Sequence, residues 1–285
     1  MVATNNLGTQ MTLRVISYGG GVQSTAMLAL AAQGKLQEVM GGPIDAVLFA
    51  NTGDDSEHPD TLKYVREVAM PFAKTNGLNL IELHTTKNGE PTTIWNEIMK
   101  PNSNRMLIPV YGDINMPLQR SCTVDFKIKT VGRWVKKNGA KKNDPAQVAI
   151  GISTDEIQRA GRGKEEPMQQ RVYPLLDLSI SRTGCVNVIT ESGIPVPPKS
   201  SCFFCPFHRP LVWAELRRDT PELFDKAQQL EDVMIAKQVA RGKNPVYLTK
   251  FGKRLSEAIG TAQDTLFDNL DPNLENGCDS GHCFT

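Results

Sequence analysis

No run of about 18 apolar residues occurs anywhere in the 285-residue chain, so the sequence offers no candidate membrane-spanning helix. The opening stretch "MVATNNLGTQMTL" is polar and lacks the apolar core of a secretory signal, which sets the expectation of a cytoplasmic protein. Charge of either sign is not in excess. The net value is +1, so no global field advertises a polyanionic partner, and any contact with nucleic acid must come from a local patch. Internal repeats and low-complexity tracts are missing as well, which excludes a solenoid and a largely disordered chain. In a reducing compartment, six cysteines read as metal ligands or redox groups rather than as a disulfide framework.

What is present is an alternation of short apolar runs with helical patterns. "TLRVIS" (12–17), "DAVLFAN" (45–51), "LNLIEL" (78–83) and "AQVAIG" (146–151) read as buried strands. Between them, a helix is expected over 24–33. Another is expected in "PDTLKYVREVAMPFAKTNG", with Leu62, Val65, Ala69 and Phe72 facing inward and Pro71 kinking or interrupting it. "PTTIWNEIMK" supplies a further helix. So does the segment after Cys122, with Val124, Ile128, Val131 and Val135 inside. This order predicts an α/β fold, a mostly parallel sheet covered by helices on both faces. A long helical pattern follows in "PELFDKAQQLEDVMIAKQVARG", with Leu223, Leu230, Val233 and Met234 as its apolar face. The chain ends in the loop-rich tail "FDNLDPNLENGCDSGHCFT". Two regions are expected: a nucleotide-binding domain over 1–205 and a helical C-terminal extension with a cysteine-bearing tail over 206–285.

The first strand runs into Gly19, Gly20 and Gly21 and then into a helix. Glycine lets backbone N–H groups approach an anion, and the helix N-terminus adds its positive end. The dinucleotide fingerprint G-x-G-x-x-G fails because position 24 is Ser24, and the Walker A pattern fails because no Gly-Lys-Ser/Thr follows. A tight strand-to-helix turn with no ligand is the plainer alternative.

"SYGGGVQST" resembles the pyrophosphatase loop of the adenine nucleotide alpha-hydrolase (PP-loop) superfamily, usually S-G-G-x-D-S, and in particular its form in the PAPS reductase-like proteins. Aligned on Gly20, Gly21 and Ser24, the sequence departs from it at Gly19 and Gln23, while Ser17 lies close by. "AVLFANTGDDSEHPDTLKYVREV" resembles the same family's strand plus N-T-G-x-x-x-P-E-T segment, with Asp60 in place of the glutamate. The resemblance implies a Rossmann-like fold of the PP-loop type. It also implies ATP or an adenylylated sulfate held by Ser17, Gly19, Gly20, Gly21, Gln23, Ser24, Thr25, Asn51, Thr52 and Gly53, with Mg²⁺ assisted by Asp54 or Asp55. Solvated loop acids are the alternative for those two.

The cysteines extend the resemblance to the iron–sulfur-binding branch. Cys122 precedes a lysine-containing helix, and "KSSCFFCPF" gives a C-x₂-C pair at Cys202 and Cys205. Ser121 stands where that branch has a second cysteine, so three thiolates would leave one iron of a 4Fe–4S cluster open. A zinc site from Cys122, Cys202, Cys205 and His208 competes, and Cys185 reads as a buried thiol or as a fourth ligand. The tail's Cys278 and Cys283 loosely resemble the catalytic cysteine segment of PAPS reductases, and His282 beside Cys283 would lower its pKa.

"GISTDEIQRAGRGK" (151–164) offers a helix start, Ser153 capping and Glu156 completing a capping box. It also matches the family's arginine block at Gly151, Glu156 and Arg159, with Ser153 replacing an arginine. Arg159, Arg162, Lys164 and Arg171 could join Lys127 and Lys129 as an anion-binding rim; a solvated basic face is the alternative. Taken together, the resemblance implies an ATP-dependent, cluster-bearing sulfurtransferase that adenylates and thiolates tRNA, DNA or a nucleobase. A thiol or a cysteine desulfurase would donate the sulfur. The other readings are a PAPS or adenylyl sulfate reductase and a nucleotide-binding protein with structural zinc. The oligomeric state is not legible.

Overall fold

The computed structural model describes residues 12–101, 103–112, 116–161 and 166–260. Its centre is a five-stranded, fully parallel sheet in the order β3-β2-β1-β6-β7. The strands are β1 (Arg14–Tyr18), β2 (Ala46–Asn51), β3 (Leu80–His84), β6 (Ala146–Ile150) and β7 (Gln169–Val172). A two-residue hairpin, β4 (Thr86–Lys87) and β5 (Glu90–Pro91), stands apart.

Alternate residues of each strand feed opposite cores, as the period of two requires. Ile16, Tyr18, Val47, Phe49 and Ala149 pack into one core, with α1 (Val22–Ala32), α2 (Lys35–Met40), α7 (Pro174–Asp177) and α8 (Arg182–Glu191). Val15, Leu48, Val148 and Ile150 enter the other, with Val131 and Val135 of α6 (Lys129–Lys137). The expected α/β fold with helices on both faces is therefore present. α1 is buried along nearly its whole length, because it lies between the sheet and α8.

A third core lies beyond the sheet. It joins α5 (Ile94–Met99), Leu107 and Phe126 to Phe203, Phe204 and the helices α9 (Pro210–Asp219), α10 (Pro221–Val239) and α11 (Leu255–Ala258). The helical extension after residue 206 thus shares its core with residues that precede it. No helix among the described residues is long and apolar enough to cross a membrane.

Several local expectations need correcting. Pro71 does not end the helical run, although the α-helix is interrupted by a π turn directly before it. Backbone dihedrals stay helical from α3 (Pro59–Tyr64) through a π turn (Val65–Ala69) into α4 (Met70–Thr75), and the wider turn just before Pro71 accommodates a residue that has no N–H to give. The segment after Cys122 also begins as a π turn, Thr123–Ile128, which changes the helical phase. Val124 is exposed, while Phe126 and Lys127 turn inward. The capping box does not form. Glu156 has φ −122° and ψ 20°, outside the helical region, and Thr154–Arg159 is a broken 3₁₀ turn in which the Ser153 hydroxyl is buried without a hydrogen-bond partner. β7 was not legible as a strand. Its polar run "QQRV" lies at the sheet edge and is only partly buried.

Candidate functional site

The strand order reverses direction between β1 and β6, and open α/β sheets form a crevice at the carboxyl ends of the strands at such a point. A cleft opens there, about 820 Å³ including its solvent-facing mouth. Ser17, Gly19, Gly21, Gln23 and Ser24 line one side and Ile150 and Gly151 another. Gly20 has φ +75°, and a Cβ on it would stand 2.9 Å from Thr61 Cγ2, so both the backbone turn and the packing beneath it require glycine. Gly151 matters for approach: a Cβ there would press to 3.1 Å on the Ser24 nitrogen. α1 begins at Val22, with Gly21 as an N-cap that provides no side-chain acceptor, so no capping side chain occupies its first N–H groups. Ser24 Oγ donates to Gly21 O at 3.0 Å.

Four basic side chains complete the lining: Lys127, Arg159, Arg182 and Lys199. Among the described residues, no carboxylate lines this cleft. Each cation comes from a different element. Lys127 is brought in by the π turn, Arg159 by the 3₁₀ turn and Arg182 by the first turn of α8. Lys199 comes from the proline-rich strap "PVPPKSS". That strap is fastened to its surroundings. Tyr64 OH donates to Pro195 O at 2.6 Å, His58 N to Ser201 O at 3.0 Å, and Ser200 Oγ to Gly19 O. Cations gathered against low-dielectric walls concentrate the field that an anionic ligand experiences.

Of the expected nucleotide contacts, Ser17, Gly19, Gly21, Gln23, Ser24 and Arg159 are brought together here. Gly20 shapes the turn from beneath. Thr25 is fully buried, its hydroxyl 3.1 Å from Tyr18 OH. Asn51, Gly53 and Asp54 belong to a separate network at the ends of β2 and β3. Asn51 Nδ2 donates to Asp54 at 2.7 Å and to Glu82 at 2.6 Å, its Oδ1 accepts from Gly53 N at 2.8 Å, and Arg66 donates to both acids at 2.7 Å. The Arg66 hydrogen bonds hold the Asp54 carboxyl below its usual range. Burial would raise Glu82, but hydrogen bonds from Arg66 and Asn51 more than offset it.

Thr52 points to the cysteines. Its hydroxyl donates to Glu57 Oε1 at 2.9 Å and lies 3.5 Å from Cys202 Sγ. Glu57 is 1 % exposed, 3.9 Å from Lys127 Nζ through Oε1, and its Oε2 is buried with no hydrogen-bond partner. Burial and the Glu57 charge push the Cys202 thiol well above its ordinary pKa. The C-x₂-C turn closes with Cys205 N donating to Cys202 O at 3.1 Å. It is anchored by Phe203 and Phe204, whose rings meet at 4.9 Å and flank Trp95. Cys122 is held by its N–H to Leu107 O at 2.9 Å and packs, like Cys202, against the third core.

These soft donors suit a thiophilic metal, and they share one region. Among the described residues, however, no three Cys, His, Asp or Glu side chains are gathered into a set that could hold a metal ion. His208 Nε2 lies 3.0 Å from Cys202 O, and burial lowers its pKa to about 3, so its ring is neutral. Cys185 sits in the first core, fully buried, its thiol pushed up to about 12 by burial, and is not beside the other three.

Of the expected basic rim, Lys129 pairs with Asp125 at 2.7 Å, and Arg171 lines a small neighbouring cavity. Arg162, Lys164, Cys278, His282 and Cys283 lie outside the described residues. Sequence reasoning missed Arg182, Lys199 and Ser200; the prolines beside Lys199 were the available signal of an extended, rigid wall. Neither protein-family models nor curated proteins match this chain.

Proposed function

We propose that the chain is a nucleotide-activating enzyme of the PP-loop type, with a sulfur-handling cysteine region beside its nucleotide cleft. The observation that carries this reading is the cleft at the β1/β6 reversal, where a glycine turn and a helix N-terminus face Lys127, Arg159, Arg182 and Lys199. ATP would bind with its phosphates against the α1 N-terminus. An acceptor oxygen would attack the α-phosphorus, breaking its bond to the bridging oxygen and releasing pyrophosphate. Backbone N–H groups and the four cations would stabilise the charge gathering on the leaving phosphates, with Mg²⁺ assisting.

Lys127 lines this cleft and also faces Glu57, which adjoins Cys202 through Thr52, so the two regions share a wall. Cys122, Cys202 and Cys205 are the residues that would hold a 4Fe–4S cluster, or zinc with His208, once their side chains were drawn together from the positions they occupy here. A bound cluster would supply sulfur-transfer or electron-transfer chemistry. The acceptor class we favour is a nucleobase or nucleic acid, and the sulfur would come from a thiol or cysteine desulfurase donor.

The test is incubation of anaerobically prepared, iron-reconstituted protein with Mg-ATP, with and without tRNA or DNA, and separately with PAPS or adenylyl sulfate plus a thiol. Pyrophosphate and AMP stimulated by nucleic acid is the expected result. Sulfite from a sulfated nucleotide would instead make the protein a reductase, and no turnover with any of them would sink the enzymatic reading.

A further inference from the structure

The cleft's lining contains no carboxylate among the described residues, yet one stands directly behind it. Glu156 is 7 % exposed, and both of its oxygens are committed to cleft-wall side chains. Oε1 accepts from Gln23 Nε2 at 3.4 Å, and Oε2 accepts from Arg159 Nη1. Gln23 opens α1, whereas Arg159 closes the 3₁₀ turn. A single acid therefore ties the glycine-loop side of the cleft to its basic side. Glu156, which makes both links, is also the residue at which the helical backbone breaks (φ −122°, ψ 20°). Gly151, which lets the end of β6 touch the Gln23 and Ser24 backbone, brings the two sides close enough to be bridged.

We infer that Glu156 is a specificity-determining residue that sets how much positive charge the cleft presents, by neutralising Arg159 from behind while holding it and Gln23 in place. This inference rests on the anion-binding reading of the cleft. A buried pair of opposite charges contributes little net field. Removing the acid alone raises the local charge by one unit, and removing the arginine alone lowers it by one. The consequence falls hardest on ligands of high charge. Glu156 thus keeps the cleft from retaining a polyphosphate too firmly, which is what release of pyrophosphate demands.

The test is a double-mutant cycle over Glu156→Gln, Arg159→Gln and the double variant, read by calorimetric binding of inorganic tripolyphosphate and of orthophosphate. Glu156→Gln should bind tripolyphosphate roughly tenfold more tightly than wild type but orthophosphate only about twofold more tightly. Arg159→Gln should weaken tripolyphosphate, and adding Glu156→Gln to it should restore affinity to within about threefold of wild type. Should Glu156→Gln alone fail to fold, the comparison of Arg159→Gln with the double variant, in which both members of the pair are neutral, still decides. Equal tripolyphosphate affinity in those two, or a tripolyphosphate-to-orthophosphate ratio that Glu156→Gln leaves unchanged, would overturn the inference while leaving the cleft an anion site. Failure of the wild type to bind either anion would remove the anion-binding reading, and this inference with it.

Discussion

Two clusters of charge stand at the carboxyl end of the same sheet, and they differ in how their charges are spent. At the ends of β2 and β3, Arg66 is held by Asp54 and Glu82, and Asn51 bonds to both acids. That cluster closes on itself. At the ends of β1 and β6, four cations line an open cleft, and the acids that meet two of them, Glu156 at Arg159 and Glu57 at Lys127, are not part of its lining. Both places carry residues that the sequence marks as ligand contacts. Only at the strand-order reversal do crossover connections leave on opposite faces and open a crevice, so there the cations line an opening rather than a closed network.

The comparison can be broken most severely at Lys127, which serves the cleft and faces the buried Glu57. Lys127→Met should lower stability by about 3 kcal/mol, because it leaves a buried carboxylate without its countercharge. Denaturant unfolding should show much of that loss recovered in the Lys127→Met/Glu57→Gln pair. Gly20→Ala comes next. Its positive φ and the approach to Thr61 should cost about 2 kcal/mol, read as a lowered midpoint at unchanged m-value.

Arg182→Met should weaken tripolyphosphate binding about tenfold, whereas Arg66→Met should leave it within about twofold. Equal effects at the two arginines would erase the distinction between the clusters. The smallest effect concerns pH. Asp54 and Glu82 have depressed folded pKa values, so the folded state binds fewer protons than the unfolded one as acid is added. Their contribution is complete above the unfolded values near about 4 and is lost as pH falls through the folded ones. Because Asp54 is 57 % exposed and Arg66 40 %, Arg66→Met should shallow the acid limb of the stability curve by no more than ~1 kcal/mol.

Much of the frame was legible because it depends on local pattern. Four apolar runs became β1, β2, β3 and β6 within two residues, and the glycines of the first turn lie where a strand meets a buried helix. Pattern misled where backbone chemistry was unusual. The π turn after Cys122 exposed Val124 and buried Lys127, and the broken turn at Glu156 replaced a capping box with a link between Arg159 and Gln23. No periodicity argument built on 3.6 residues per turn can anticipate either. Thr52 was read as a nucleotide contact from the resemblance of its segment to an N-T-G motif; in the fold its hydroxyl serves Glu57 and approaches Cys202.

What the sequence by itself determined is therefore the succession of strands and helices and the glycine turn, since burial period and backbone freedom are written residue by residue. Which cations share the cleft was decided only by tertiary structure. Lys127, Arg159, Arg182 and Lys199 sit on four separate elements, and nothing in their local sequence separates them from Arg66 or Lys129, which stand outside the cleft lining in pairs with Asp54 and Asp125. A charge acquires a role only once the fold has fixed which opposite charges lie within reach of it, and that depends on distances through space that linear order does not contain.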